Sequence, residues 1–432
     1  MYEIIIFLVE ICIYSSSIIT FPFKRIFKNE VITKDNFYDN YFDNIIYTKS
    51  YIGTPFTEVT LQIKSKQYTF CIRNDTIFHY MNSSSYIANE KKDVCTYNID
   101  FRSSLKSNET FKLGNEKIKI VDLQFILSKE SKYTSDGIIG LKILDNDGKL
   151  WGYNLIPQLK NKKLIKKESF FYIFDENSDN GELIIGQYPH LIEKYKNIFY
   201  KEQFQRTSVF IPSYDQNFDF KFRSVFWNGT EIESLTIANL EIELGMIKGS
   251  MKFCDQSWDF FAPHFRRGKC TIVDIHVLYE SYICDDYPDF DITKFPSIKF
   301  YVNDADYNFE LTYKEIFKKK DGKVFYMIYF NKKGYDVTWS LGNLFLKRNM
   351  LVFDMDKKII GFYNKEIKIN GSSNNNDNTK VIILSIIIII AAFVIIGLVA
   401  FIIYKFVVKK PRKKPYELPD DDYDYTTNVI NS

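Results

Sequence analysis

Histidine is scarce in this chain: four residues, His79, His190, His264 and His276, among 432. None stands at the spacing of a metal-ligand set, so no metal site is expected. No Gly-rich phosphate loop occurs, and nothing else asks for a cofactor. Charge of one sign is lacking too, with 57 basic against 54 acidic residues and a net charge of +3. No stripe of Arg and Lys interleaved with aromatics is present, so a nucleic-acid partner is not expected. Amphipathic helices are few, 154–167 being the best, and there is no repeat of fixed period.

What is abundant is aromatic. Phe (39) and Tyr (31) raise the aromatic share to 17%, which favours strands with large buried rings. Segments 58–63, 116–127, 182–186, 298–304 and 323–330 run or alternate apolar, rich in β-branched and aromatic residues, with Gly, Asn and Asp between them. The length suggests two domains.

The two ends read differently. Residues 1–20 are apolar and then small, as in a secretory signal peptide, although Glu3 and Glu10 depart from that pattern. Residues 381–404 contain no charge and are long enough to cross a bilayer as a helix. Lys405, Lys409, Lys410, Arg412, Lys413 and Lys414 follow, placing the C-terminus in the cytoplasm by the positive-inside rule. The expected topology is single-pass type I, with the large domain exoplasmic in the secretory pathway or at the cell surface. Glycosylation acceptors then stand at Asn74, Asn82, Asn108, Asn228 and Asn370. The tail, 405–432, is acidic and Tyr-rich beyond its basic start.

Of six cysteines, Cys12 lies in the signal. Cys71, Cys95, Cys254, Cys270 and Cys284 remain, an odd number, so at least one thiol is free or pairs with another chain. If each lobe folds around its own core, the expected bonds are Cys71 with Cys95 and one between two of Cys254, Cys270 and Cys284. A Cys254–His264 nucleophile is the weaker alternative to a disulfide in an oxidising compartment.

Four blocks, in order, resemble the pepsin-like aspartic proteases: YIGTP at 51–55, DGIIGL at 136–141, the helix–strand–turn stretch 155–200, and 337–365 with LGNLFL, VFD and IGFY. They cover roughly residues 45–366. The resemblance implies an all-β, bilobal fold with a cleft between two barrel-like lobes, followed here by one C-terminal transmembrane helix. The expected boundaries are signal peptide 1–20, short leader 21–44, first lobe 45–205, second lobe 206–366, polar stalk 367–380, transmembrane helix 381–404 and cytoplasmic tail 405–432.

The resemblance also implies two Asp-Thr/Ser-Gly turns, one per lobe, whose carboxylates share a proton over one water. Counting without a gap from Pro55 along the strand 59–63 places Lys64, Ser65 and Lys66 at the first triplet. For the second, Pro263 is read as a helix start. Nine positions back lies Cys254, or Asp255 with a one-residue deletion. The flap hairpin that carries Tyr-Gly in the family matches 98–105, with Phe101 and Arg102 at those two positions. A rearranged dyad of Asp75 with Asp274 or Asp255 is the competing placement. The expectation is a degenerate, non-catalytic member whose cleft binds an extended peptide or protein. The alternatives are an active endopeptidase using the rearranged dyad, and a structural surface protein with its cleft filled.

Overall fold

The computed structural model describes residues 18–27, 32–42, 45–67, 69–73, 82–91, 104–113, 120–128, 135–143, 153–175, 178, 180–210, 218–332 and 338–364. The expected transmembrane segment 381–404, the stalk, the tail, most of the signal, Asn74, Asp75, Cys95, Phe101, Arg102 and Asn370 lie outside them. Among the described residues no helix is long and apolar enough to cross a membrane.

Strands dominate, as the aromatic and β-branched runs lead one to expect. The first half supplies β1 (Ile19–Ile26), β2 (Ile45–Ile52), β3 (Thr57–Lys64), β4 (Phe70–Arg73), β5 (Ile87–Lys91), β6 (Ser104–Lys112), β7 (Ile120–Ser128), β8 (Gly137–Gly140), β9 (Ser169–Phe174) and β10 (Gly181–Ile185). The second half supplies β11 (Phe204–Ser208), β12 (Asp219–Trp227), β13 (Thr230–Leu240), β14 (Ile247–Lys248), β15 (Cys270–His276), β16 (Tyr279–Asp285), β17 (Ile298–Val302) and β18 (Asn308–Leu311). It continues with β19 (Phe317–Lys320), β20 (Lys323–Tyr326), β21 (Ile328–Asn331), β22 (Trp339–Leu341), β23 (Leu351–Asp354) and β24 (Ile359–Tyr363). Among the described residues five α-helices interrupt them: α1 (Phe37–Phe42), α2 (Leu155–Asn161), α3 (Met251–Arg266), α4 (Tyr313–Ile316) and α5 (Asn343–Arg348). The helix expected over 154–167 stops early. Asn154 caps α2 by accepting from the Ile156 N–H, and the chain turns at Lys163, whose φ is +58°.

The strands form two sheets, which make two barrel-like lobes. The first runs β11-β24-β23-β9-β10-β1-β2-β3-β8-β4-β7-β6-β5, and the second β18-β17-β12-β13-β22-β14-β21-β16-β20-β19, with β15 on β16. Each lobe contains the same four-strand device. In the first, β3 lies parallel to β8, β8 antiparallel to β4, and β4 parallel to β7. In the second, β13, β22, β14 and β21 repeat that sequence of directions. The loop that ends β3 and the loop that ends β13 are therefore counterparts.

Three expected boundaries shift. Ile19 and Thr20, assigned to the signal, belong to β1, where they pair with Ile185 and Ile184. The leader is not separate either. In β1, Phe21 and Phe23 alternate with Pro22 and Lys24, and both rings are buried, the pattern of a strand with one face in the core. The lobe division at 205/206 cuts through β11, and β23 pairs with β9 of the first half. The last strands of the chain thus complete the first sheet.

Cys270 and Cys284 are disulfide-bonded across the β15–β16 hairpin, where they are cross-strand partners. This satisfies the expected bond in the second lobe. The expected Cys71–Cys95 bond is not made: Cys71 is a free thiol buried in β4 against the Thr69 hydroxyl. Its strand neighbours Phe70 and Ile72 face the hydrophobic core, and Cys71 is buried on the opposite face of β4. Asn82 and Asn228 are exposed, Asn228 in the Asn-Gly turn between β12 and β13. Asn108 is half-buried in β6, paired on both sides.

Candidate functional site between two strand-end loops

Lys64 is the last residue of β3 and stands opposite Gly140 of β8. A Cβ on Gly140 would come within 2.5 Å of the Gln67 carbonyl oxygen and 2.7 Å of that of Thr69. Only glycine lets the β3–β4 loop close over the end of β8. The second lobe repeats this. Leu240 pairs with Leu341, so Glu241 comes next, opposite Gly342. A Cβ on Gly342 would meet the Leu244 carbonyl oxygen at 2.1 Å and that of Met246 at 2.3 Å. Gln67 and Thr69 follow Lys64 by the same steps that separate Leu244 and Met246 from Glu241. The counterpart of Lys64-Ser65-Lys66 is thus Glu241-Ile242-Glu243.

These two loops meet. The Lys66 ammonium lies 2.8 Å from the Glu241 carboxylate. The Ser65 N–H donates to Glu243 Oε1 at 2.8 Å, and the Ser65 hydroxyl donates to Glu243 Oε2 at 2.5 Å. Glu243 is therefore held in a two-pronged grip by the other lobe's loop. Lys64 and Ser65 are half-buried, whereas Lys66 is exposed. Beneath them Tyr172 of β9 is buried and its hydroxyl lacks a protein hydrogen-bond partner. Burial raises its pKa well above the ordinary phenol range, and the Glu243 charge adds to the shift.

Cys254 and Asp255 are not at this place. Both lie in α3, whose N-cap is Ser250, with Pro263 inside the helix rather than at its start. Cys254 faces the core beside the Tyr282 hydroxyl at 3.4 Å, and burial pushes its thiol up to about 11. Asp255, one residue on, is exposed. Of the rearranged dyad, Asp75 lies outside the described residues. Asp274 is three-quarters exposed on β15 and pairs with Lys332 at 2.7 Å. His264 shares α3 with Cys254 but bonds to the Tyr287 hydroxyl at 2.5 Å, so the two are not joined as nucleophile and base. His190 bonds to the Tyr363 hydroxyl at 2.8 Å, and His276 stacks on Phe42.

Counting from Pro263 concealed Glu241 and Glu243. The signal that finds them is Gly342 of LGNLFL, the counterpart of Gly140 in DGIIGL, once the repeated strand device is recognised. Chemically, the arrangement is a lysine facing a glutamate position, with a neighbouring serine–glutamate bond. It holds the two loops together.

A family model described as eukaryotic aspartyl protease matches residues 58–241 and 278–365, more than half of the chain. No curated protein matches it.

Proposed function

The chain belongs to the eukaryotic aspartyl protease family, and from that premise we propose that it is a catalytically inactive, membrane-anchored member whose interlobe groove holds an extended peptide. One observation carries the reading: the counterpart positions of the two lobes hold Lys64 and Glu241. A dyad works because two adjacent carboxylates cannot both ionise, so one is base and the other acid. A lysine at one of the two positions cannot share a proton with a carboxylate at the other, and Glu241 is already ion-paired with Lys66. Glu243, where the second glycine of the family would stand, adds a bulky side chain bonded to Ser65.

A groove without the dyad can still hold a peptide by backbone pairing. The ectodomain is exoplasmic and anchored by 381–404, on the strength of that uncharged run, the basic cluster after it and the signal-like start. The Cys270–Cys284 disulfide fits an oxidising compartment.

The decisive experiment incubates the purified protein with a peptide library at acid pH. No cleavage is expected, with or without a transition-state mimic bearing a central hydroxyl. Cleavage that the mimic blocks overturns the reading. Protease protection in sealed microsomes checks the topology: the large domain should be shielded and the tail digested.

A further inference from the structure

The first sheet is covered on both faces, and the two coverings differ. Along β9, Phe170 and Tyr172 enter the large core, while Phe171 between them points the other way. There it joins Ile184 of β10, Val352 of β23 and Tyr363 of β24 in a second, smaller cluster. The cover of that cluster is the segment 188–203, which supplies Tyr188, Ile192, Tyr195 and Phe199. It is built of turns: the N–H groups of Lys196 and Phe199 donate to the Ile192 and Tyr195 carbonyls at 2.9 and 3.0 Å.

Not all apolar side chains of this cover turn inward. Leu191 is 53% exposed, Ile198 60% and Tyr200 38%. Lys194, Lys196 and Lys201 stand among them, exposed as well. One apolar side chain on a surface needs no explanation, but three in so short a stretch, interleaved with lysines, form a patch.

The chain leaves the described domain at this patch. The Asn364 N–H donates to the Gln203 carbonyl at 2.8 Å. The Tyr363 ring centroid lies 4.9 Å from that of Phe199 and 5.3 Å from that of Phe204. Asn364 is the last described residue. Sixteen residues, 365–380, separate it from Val381 at the start of the uncharged run. Even fully extended, that many residues reach about 55 Å. A chain anchored by 381–404 therefore keeps this face near its own bilayer, where a tethered contact is intramolecular and needs little affinity of its own. The side chains suit that neighbour. Leucine and isoleucine enter the boundary between headgroups and acyl chains, tyrosine sits at headgroup level, and lysine reaches the lipid phosphates.

We propose that the surface made by Leu191, Ile198 and Tyr200 with Lys196 and Lys201 rests on the phospholipid headgroup layer of the membrane that anchors the chain, and so fixes which face of the domain is turned to the lipid. The proposal rests on the anchored reading of 381–404.

The test uses the full chain in phosphatidylcholine vesicles. Asn197→Cys, exposed beside Ile198, carries an environment-sensitive fluorophore, in a background of Cys12→Ser and Cys95→Ser; Cys71 and Cys254 are buried. Part of the lipid bears a nitroxide quencher near the headgroup end of its acyl chain. The comparison label is at Val277→Cys, on the exposed apolar turn between β15 and β16 of the second sheet. Quenching at 197 should exceed that at 277 by roughly twofold or more, and Leu191→Asp with Ile198→Asp should abolish the difference. Equal quenching at both labels, none at 197, or quenching that the two aspartates leave unchanged overturns the proposal. So does a label at 197 that is equally shielded in detergent with the chain dimeric by light scattering, since a second copy then covers the patch. Where the labelled variants do not fold, amine acetylation of the unmodified chain replaces them. Lys196 and Lys201 should react more slowly in vesicles than in detergent, while exposed Lys294 reacts alike in both; equal rates at all three overturn the proposal. Alkaline carbonate reads the anchor separately. A chain that resists extraction but shows no quenching at 197 loses the patch contact alone, whereas a chain that is extracted loses the anchored reading and the proposal with it.

Discussion

Ser65 and Lys66 each bond to a glutamate of the opposite loop, yet the two contacts should not weigh equally. Glu243 receives two hydrogen bonds from Ser65 in a partly buried setting, and a bond to a charged group that is lost there costs about 1–3 kcal/mol. Lys66 is about half exposed, and such surface pairs are worth roughly 0–1 kcal/mol. Glu243→Ala is therefore expected to lower the denaturant midpoint clearly, and Lys66→Ala barely; equal effects would mean that Ser65 does not hold Glu243 in solution. The same residues set the terms for restoring chemistry. Lys64→Asp, Ser65→Thr and Lys66→Gly in one loop should give no peptide hydrolysis, because Glu241-Ile242-Glu243 still lacks a triplet. Only the further changes Glu241→Asp, Ile242→Thr and Glu243→Gly complete the pair, and activity measured after one loop alone would contradict the assignment. Lys64 was legible because nothing is inserted between Pro55 and the end of β3. Glu241 was not, since neither its own identity nor that of Glu243 resembles the triplet. Pro263 also looks like a helix start while standing in the middle of α3.

At the scale of elements, α3 shows how one buried acid can make docking depend on pH. Its cap Ser250 accepts from the Phe253 N–H and bonds to Glu233 of β13, and Glu233 also accepts from the Trp339 indole at 2.9 Å. Desolvation leaves the Glu233 pKa above the ordinary carboxylate value, despite the indole. With the folded pKa above the unfolded one, the buried charge costs nothing below the unfolded value. The cost grows as pH rises through it and levels off above the folded value. Glu233→Gln should thus narrow the gap in melting temperature between mildly acid and neutral pH, the variant gaining most at neutral pH. An unchanged gap in a scan at several pH values would contradict this. The β15–β16 hairpin supplies the second prediction. Its disulfide closes a short loop, with a sequence separation of 14, and loss of such a bond costs about 3 kcal/mol. Cys270→Ser with Cys284→Ser should lower unfolding stability by that order, while a thiol reagent should reach Cys71 and Cys254 only after denaturation, both being buried. Half of the cysteine expectation was legible because two cysteines flank a hairpin pattern. The other half was not, because burial of Cys71 against Thr69 leaves no mark in spacing.

The whole molecule is joined by strands that ignore the lobe boundary. β11, β23 and β24, from beyond residue 203, lie in the same sheet as β9, β10 and β1. Unfolding of the described domain should therefore be one cooperative transition, and two separated transitions in calorimetry would contradict that. The two-lobe β fold was legible from ordered motifs. The position of 19–42 was not, because an apolar start followed by a short polar stretch reads as a signal and leader. What distinguishes a strand is the alternation of Phe21 and Phe23 with Pro22 and Lys24, and that lies just beyond the apolar run. The same placement yields the final prediction. Deleting residues 1–27 leaves β10 and β2 with facing unpaired edges and removes two fully buried rings, and such edges promote aggregation. The truncated chain should be insoluble when refolded alone. A synthetic peptide of residues 18–27 added during refolding should restore soluble protein by occupying the vacant place between β10 and β2, as strand addition allows. A peptide with Phe21→Lys and Phe23→Lys should fail, since its edge can pair but its rings cannot fill the core. Equal rescue by both peptides would show that the backbone alone holds β1, and full solubility without any peptide would show that β1 is dispensable.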